Sequence, residues 1–244
     1  MRVHIITPVV TEGIRTLDDV AHLRSADLSI TQSLIATGPA SIESEFDEAM
    51  AVPGIVAEAI AAEQSGADAI IIDCMGDPGL KAAREVVRIP VFGPADTSMH
   101  LAAMLGHRFS IVTVLDSVVP MIENLSKIYG TSSKLASVRV INIPVLELEA
   151  APEKVTSALA NASLAAVEED GAHAIILGCT GFLGCAEAIE SALKAKGYRL
   201  PVIDPIPASV CVAAGVVRAG LSHSKLTYAH PRSKELRGYP AINI

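Results

Sequence analysis

Four cysteines are the residues of this chain best suited to chemistry: Cys74, Cys179, Cys185 and Cys211. A thiol that ionises can act as nucleophile, metal ligand or proton carrier. No CxxC pair is present, and no histidine spacing suggests zinc. A disulfide framework does not suit a chain of this size and class. Each cysteine is therefore either a small core residue or a reactive thiol. Context separates two of them from the rest. The segment EQSGADAIIIDC, ending at Cys74, aligns without gaps on EEDGAHAIILGC, ending at Cys179. The shared frame is E-x-x-G-A-x-A-I-I-[IL]-x-C. Met75-Gly76 then compares with Thr180-Gly181.

The likeness extends along the chain. RIPVFGP from Arg88 resembles RLPVIDP from Arg199; Ser98 matches Ser209, and Ala102-Ala103 matches Ala213-Ala214. RVHIIT from Arg2 is a weaker match to RFSIVT from Arg108. Ordered matches of this kind indicate internal duplication. Two halves, roughly 1–106 and 107–220, are expected, followed by a tail. Units rich in Ala and Ile resemble one another by composition alone, but that does not explain why the cysteines coincide.

Short β-branched runs at 3–7, 69–73, 110–115 and 174–178 read as buried parallel strands. Helices are expected over 53–66, with Pro53 in the first helical position, and over 152–170, starting at Pro152. Further helices are expected near 78–88, 95–106, 116–129, 182–196 and 205–220. This alternation predicts an α/β fold: two pseudo-symmetric domains, each a parallel sheet flanked by helices, with a cleft between them. The expected domains are 1–94 together with 206–244, and 95–205. Ligands of open α/β sheets bind beyond the carboxyl ends of the strands, where Cys74 and Cys179 both fall.

The residues after each cysteine, MGDPG and TGFLG, suit a tight turn into a helix N-terminus. Free amides and the helix dipole there are expected to lower the thiol pKa and to hold an oxygen of a carboxylate, enolate or imidate. Two such thiols facing each other across a cleft suit inversion at carbon. One removes the α-proton from one face, the other delivers a proton to the opposite face, and the roles exchange with the enantiomer. No metal motif, Schiff-base lysine motif or nucleotide loop is visible, so no cofactor is expected.

Half of the residues are apolar and only 19% are charged, which argues against disorder. The net charge of −8 and the lack of a Lys/Arg run argue against nucleic acid as a partner. No run reaches the roughly 18 apolar residues of a membrane helix, so no membrane partner is expected. The first segment, MRVHIITPVV, has too short an apolar stretch for a signal peptide. A cytoplasmic homo-oligomer acting on a small molecule is the default.

The segments IIIDCMGDPGL and AIILGCTGF resemble the two cysteine motifs of the aspartate/glutamate/hydantoin racemase superfamily. Within it, CMGDPGL and the stretch Gly38-Pro39-Ala40-Ser41-Ile42-Glu43 through Asp47-Glu48-Ala49 to Val52-Pro53-Gly54 are similar to the hydantoin and allantoin racemase branch. The resemblance covers most of the chain. It implies an active site between the two domains, Cys74 and Cys179 as acid and base, and substrate contacts from the residues that follow them: Met75, Gly76, Thr180 and Gly181. Ile6-Thr7-Pro8-Val9 stands where hydantoin racemases tend to carry I-N-P-N, so Thr7 and Pro8 are expected to line the pocket with altered chemistry. C-M-G replaces the C-N-T of glutamate racemases, which disfavours a strongly acidic amino acid.

The remaining features carry plainer readings. Thr7 and Thr113 end the matched first strands, where a hydroxyl either binds substrate or caps a turn. Asp77 is expected to cap a helix beginning at Pro78. Thr97, Ser98 and Ser209 read as caps or helix-surface hydroxyls. Cys185 and Cys211, inside apolar helical stretches, read as structural. The histidines read as surface or core residues. Glu43, Glu45, Asp47 and Glu48 read as a solvated acidic face. The tail at 227–232 is expected to pack on the first domain or on a partner subunit. The resulting expectation is a cofactor-independent racemase of a 5-substituted hydantoin or related amino-acid derivative. Its rivals are an aspartate/glutamate-type racemase, a decarboxylase or cis–trans isomerase on the same scaffold, and a non-catalytic small-molecule-binding protein.

Overall fold

The computed structural model describes residues 1–242. Its first half runs β1 (Arg2–Thr7), β2 (Ser29–Leu34), α1 (Glu45–Gln64), β3 (Ala69–Ile72), α2 (Leu80–Val86), β4 (Val91–Phe92) and α3 (Pro94–Leu105). The second runs β5 (Phe109–Thr113), α4 (Val119–Ile128), β6 (Leu135–Val140), α5 (Pro152–Glu168), β7 (Ile175–Leu177), α6 (Cys185–Ala195), β8 (Val202–Ile203) and α7 (Pro205–Arg218). Each half forms a four-stranded sheet, in the orders β2-β1-β3-β4 and β6-β5-β7-β8, with every pairing parallel. The two topologies are the same, as the repeat implied. They differ between the first two strands, where a 3-10 helix at Asp18–Leu23 stands in place of α4.

Central strands are apolar because both of their faces are covered. Ile70, Ile71 and Ile72 are fully buried, as are Ile111, Ile175 and Ile176. The helices that close each half are exchanged. α7 packs on β1, β3 and β4 of the first sheet, whereas α3 packs on β5 and β7 of the second. Accordingly Ala95, Met99 and Ala102 join the core of the second sheet, and Ile206, Val210, Ala213 and Ala214 join that of the first. Tyr228 of the tail packs on the first half, where the Arg84 guanidinium lies 5.4 Å from its ring centre.

Two helix starts differ from expectation. α1 begins at Glu45, with Pro53 in its interior. The Ser44 hydroxyl accepts the Asp47 amide at 3.3 Å, and Asp47 accepts the Glu43 amide at 3.0 Å. That reciprocal cap fixes the start well before the proline. α2 begins at Leu80 because Asp77 and Gly79 take left-handed backbone, with φ of 49° and 66°. Ser98 and Ser209 are buried, not on the helix surface. Among the described residues, no helix is long and apolar enough to cross a membrane.

Candidate active site

Four strand ends converge. Thr7 closes β1 and Thr113 closes β5, while Cys74 and Cys179 each follow a central strand by two residues. Between them lies a cavity with about 730 Å³ of empty space, including the part open to solvent. Cys74, Met75 and Gly76 line it from the first half, Cys179, Thr180 and Gly181 from the second. Thr7, Pro8 and Thr113 complete the set, so all nine candidate residues border one space.

The two thiols have matching local geometry. The Gly76 amide lies 3.5 Å from Cys74 Sγ, and the Gly181 amide lies 3.4 Å from Cys179 Sγ. The following helices begin only at Leu80 and Cys185, six residues beyond each cysteine. Neither thiol therefore sits in the first turn of a helix, and the expected lowering of thiol pKa is overturned. Burial pushes Cys179 up to about 12. Burial, and next the carboxyl of Glu48, push Cys74 well above the ordinary thiol value. One amide per sulfur does not offset loss of solvent.

The threonine hydroxyls are already engaged. Thr113 donates to the Gly178 carbonyl at 2.9 Å and Thr7 donates to the Asp73 carboxylate at 3.0 Å. Thr180 donates across the cleft to the Asp73 carbonyl at 3.2 Å. These contacts use the hydroxyl protons to fix the strand ends and leave the hydroxyl oxygens as acceptors.

Arg15 and Glu48 also line the cavity. Arg15 is buried, pairs with Asp19 at 2.7 Å and reaches the Thr180 carbonyl at 3.3 Å. Glu48 Oε1 is buried without a hydrogen-bond partner, and a Cβ on Gly76 would fall 1.5 Å from it. The Glu48 carboxyl thus occupies the space that a side chain at position 76 would need. Burial, followed by the charges of Glu45 and Asp77, pushes Glu48 up to about 8. No group of three or more His, Cys, Asp or Glu side chains among the described residues is placed to hold a metal.

Comparison with known proteins agrees with this geometry. The family described as Asp/Glu/Hydantoin racemase matches residues 10–213. A hydantoin racemase of Pseudomonas sp. is 41% identical over 98% of this chain and 95% of its own length. One from Rhizobium meliloti is 39% identical over 98% of both chains. The crystal structure of an allantoin racemase from Pseudomonas fluorescens superposes with a TM-score of 0.90 at 33% identity, covering 98% of this chain and 100% of that one. The chain belongs to the Asp/Glu/hydantoin racemase family. It is an isomerase of the racemase kind.

Several residues of this racemase act differently from their sequence readings. Asp77 does not cap α2. Its carboxylate accepts the amides of Ala95 and Asp96 at 3.0 and 2.8 Å and the Tyr129 hydroxyl at 2.7 Å, so it caps α3 from outside. The acidic stretch is not simply solvated. Glu43 accepts the Val145 amide at 2.7 Å, and its carbonyl accepts the Ser117 hydroxyl at 2.8 Å, tying the two halves together. Cys185 is half-buried at the start of α6, and Cys211 is exposed on α7. A usable signal for Glu48 did exist. With α1 starting at residue 45, Glu48 falls in line with the buried Ala51, Ile55, Ala59 and Ala62. Arg15 lies in an irregular segment without periodicity and gave none.

Proposed function

We propose that this racemase inverts a carbon next to a carbonyl in a 5-substituted hydantoin or a related amino-acid derivative such as allantoin, with Cys74 and Cys179 as the acid–base pair. The observation that carries the reading is the placement of two cysteines at equivalent strand ends, each with its own amide, on one cavity. A thiolate on one side takes the α-proton, the electron pair moves into the carbonyl as an enolate, and the thiol opposite returns a proton to the other face. The inverted product leaves the two sulfurs with exchanged protonation, ready for the opposite enantiomer. Both thiols have raised pKa values, so each thiolate, once formed, is a strong base toward a weak carbon acid. Ile14, Ile42, Val114, Val118 and Ile122 give the cavity an apolar lining that suits the ring substituent. Met75, Gly76, Thr180 and Gly181, with Thr7, Pro8 and Thr113, shape the space around the ring. The packing of α3 and α7 supports a division into 1–94 with 206–244, and 95–205.

The test is polarimetry on single enantiomers of 5-substituted hydantoins, allantoin, aspartate and glutamate, with Cys74→Ser and Cys179→Ser alongside. The hydantoins or allantoin should lose optical rotation, and each serine variant should abolish that loss. In deuterium oxide each variant should still exchange the α-hydrogen of one enantiomer, and the two variants should act on opposite enantiomers. Racemisation at near wild-type rate by both variants would overturn the two-thiol reading.

A further inference from the structure

Among the described residues, five buried side-chain polar atoms lack a hydrogen-bond partner. Two are the hydroxyls of Ser98 and Ser163, inside α3 and α5. The other three, Arg15 Nε, Asp73 Oδ1 and Glu48 Oε1, belong to residues that line the cavity of the two thiols. Buried polar groups are ordinarily satisfied, so such a concentration at one cavity points to a ligand that supplies the missing partners.

Arg15 and Asp73 form the best-defined pair. Their side chains are each only 2% exposed, and Arg15 Nε lies 3.6 Å from Asp73 Oδ2. Most of the other donors and acceptors of the two groups are engaged. Arg15 Nη2 donates to both oxygens of Asp19 at 2.9 and 2.7 Å, and Nη1 donates to the Thr180 carbonyl at 3.3 Å. Asp73 Oδ2 accepts the Thr7 hydroxyl at 3.0 Å. At their contact Arg15 Nε–H and Asp73 Oδ1 are left without a partner, while Asp19, Thr180 and Thr7 hold the two groups in place.

We propose that Arg15 Nε–H and Asp73 Oδ1 read one N–H/C=O edge of a neutral cyclic ureide, the guanidinium donating to the carbonyl oxygen and the carboxylate accepting from the adjacent N–H. The proposal rests on the racemase reading above and names the part of the substrate that is recognised. A lactam ring fixes its N–H and C=O on the same side, so a side-by-side donor and acceptor meet both at once. The position suits the chemistry as well. Asp73 immediately precedes Cys74, and Arg15 bonds the carbonyl of the residue after Cys179, so the pair spans the two thiols.

Charge selects the same class. Arg15 is the cation of this group, and Asp19 and Asp73 face it, with Asp204 close enough to feel all three. A carboxylate ligand would find one guanidinium, already paired with Asp19, among more carboxylates than guanidinium groups. A neutral edge finds one donor and one acceptor and brings no charge to be compensated. Arg15 and Asp73 are therefore specificity residues that favour a ureide over a free amino acid.

The experiment separates recognition from turnover. A 5,5-dimethylhydantoin has no α-hydrogen and cannot be racemised. Its binding to the full chain is measured by titration calorimetry, together with its N1-methyl and N3-methyl derivatives and alanine as a free amino acid. The parent should bind, alanine should not, and methylation of the recognised N–H should weaken binding at least tenfold. Asp73→Asn should weaken the parent and leave the methylated ligand unchanged, so that the discrimination shrinks; a purely steric effect of the methyl group would persist. Arg15→Lys should weaken both. If a variant fails to fold by circular dichroism, the wild-type comparison of the three hydantoins still decides. Equal binding of all three, or no binding of the parent, would overturn the proposal. The racemase reading stands or falls separately, on polarimetry of hydantoins that carry an α-hydrogen.

Discussion

Cys74 and Cys179 rest as thiols, because burial opposes their ionisation. The carboxyl of Glu48 bears on the same balance, since its negative charge is the next cause of the rise at Cys74. Glu48 itself faces Glu45 on its own helix and Asp77 and Cys74 on the loop after β3. Burial, followed by the charges of Glu45 and Asp77, holds it at about 8 against an ordinary 4.5. The folded protein therefore keeps a proton that the unfolded chain has already released. The stability linked to that proton is complete below the unfolded value and is lost as pH rises through the folded one. Glu48→Gln has no such loss. Its melting temperature should gain on the wild type between pH 5 and pH 9, as thermal denaturation at several pH values will show. A constant difference across that range would remove Glu48 from the titration. The residues readable from sequence, the cysteines with their following turns and Thr7 and Thr113, are those with counterparts in both halves. Arg15 is not legible in the sequence because it works through burial and proximity, which no spacing records, whereas Glu48 shows itself once the start of α1 at residue 45 puts it in line with the buried face of that helix.

At the scale of elements, one carboxylate organises a helix to which it does not belong. Asp77 binds the first amides of α3 and the hydroxyl of Tyr129, which directly follows α4. Charged caps of buried amides are worth more than exposed ones. Asp77→Ala should lower stability by about 1–3 kcal/mol. Tyr129→Phe, which removes one of the three bonds, should cost about 1 kcal/mol. Urea midpoints of the two variants give the order, and an equal loss would contradict the capping role. The sequence points to α2 instead, because it shows which residue precedes a helix but not which helix lies across from it. Strand identity divided similarly. The inner strands β1, β3, β5 and β7 announce themselves as apolar runs. The outer strands β2 and β6, SITQSL and LASVRV, are only partly buried and mix polar with apolar residues. β4 and β8 are two residues long, too short for any periodicity.

At the scale of the whole molecule, duplication and the exchanged helices together determine how the chain is assembled. The half-boundary near residue 106, visible in the repeat, does not coincide with the way the cores are filled. Each sheet receives its final helix from the other half, so the chain resembles two people with linked arms more than two beads on a string. A protein cut between Gly106 and His107 would yield fragments 1–106 and 107–244. In the first, the face normally covered by Ile206, Val210, Ala213 and Ala214 would be bare. In the second, the face covered by Ala95, Met99 and Ala102 would be bare. Burial of such faces supplies the main driving force for folding. Neither fragment should unfold cooperatively on its own, whereas the mixed pair should reconstitute native circular dichroism and a cooperative transition at a one-to-one ratio. A cooperative transition in either isolated fragment would show that its sheet is self-sufficient. The linkage thus makes the protein a natural candidate for a split reporter, whose two pieces regain shape, and with it a cavity lined from both sides, only when they meet.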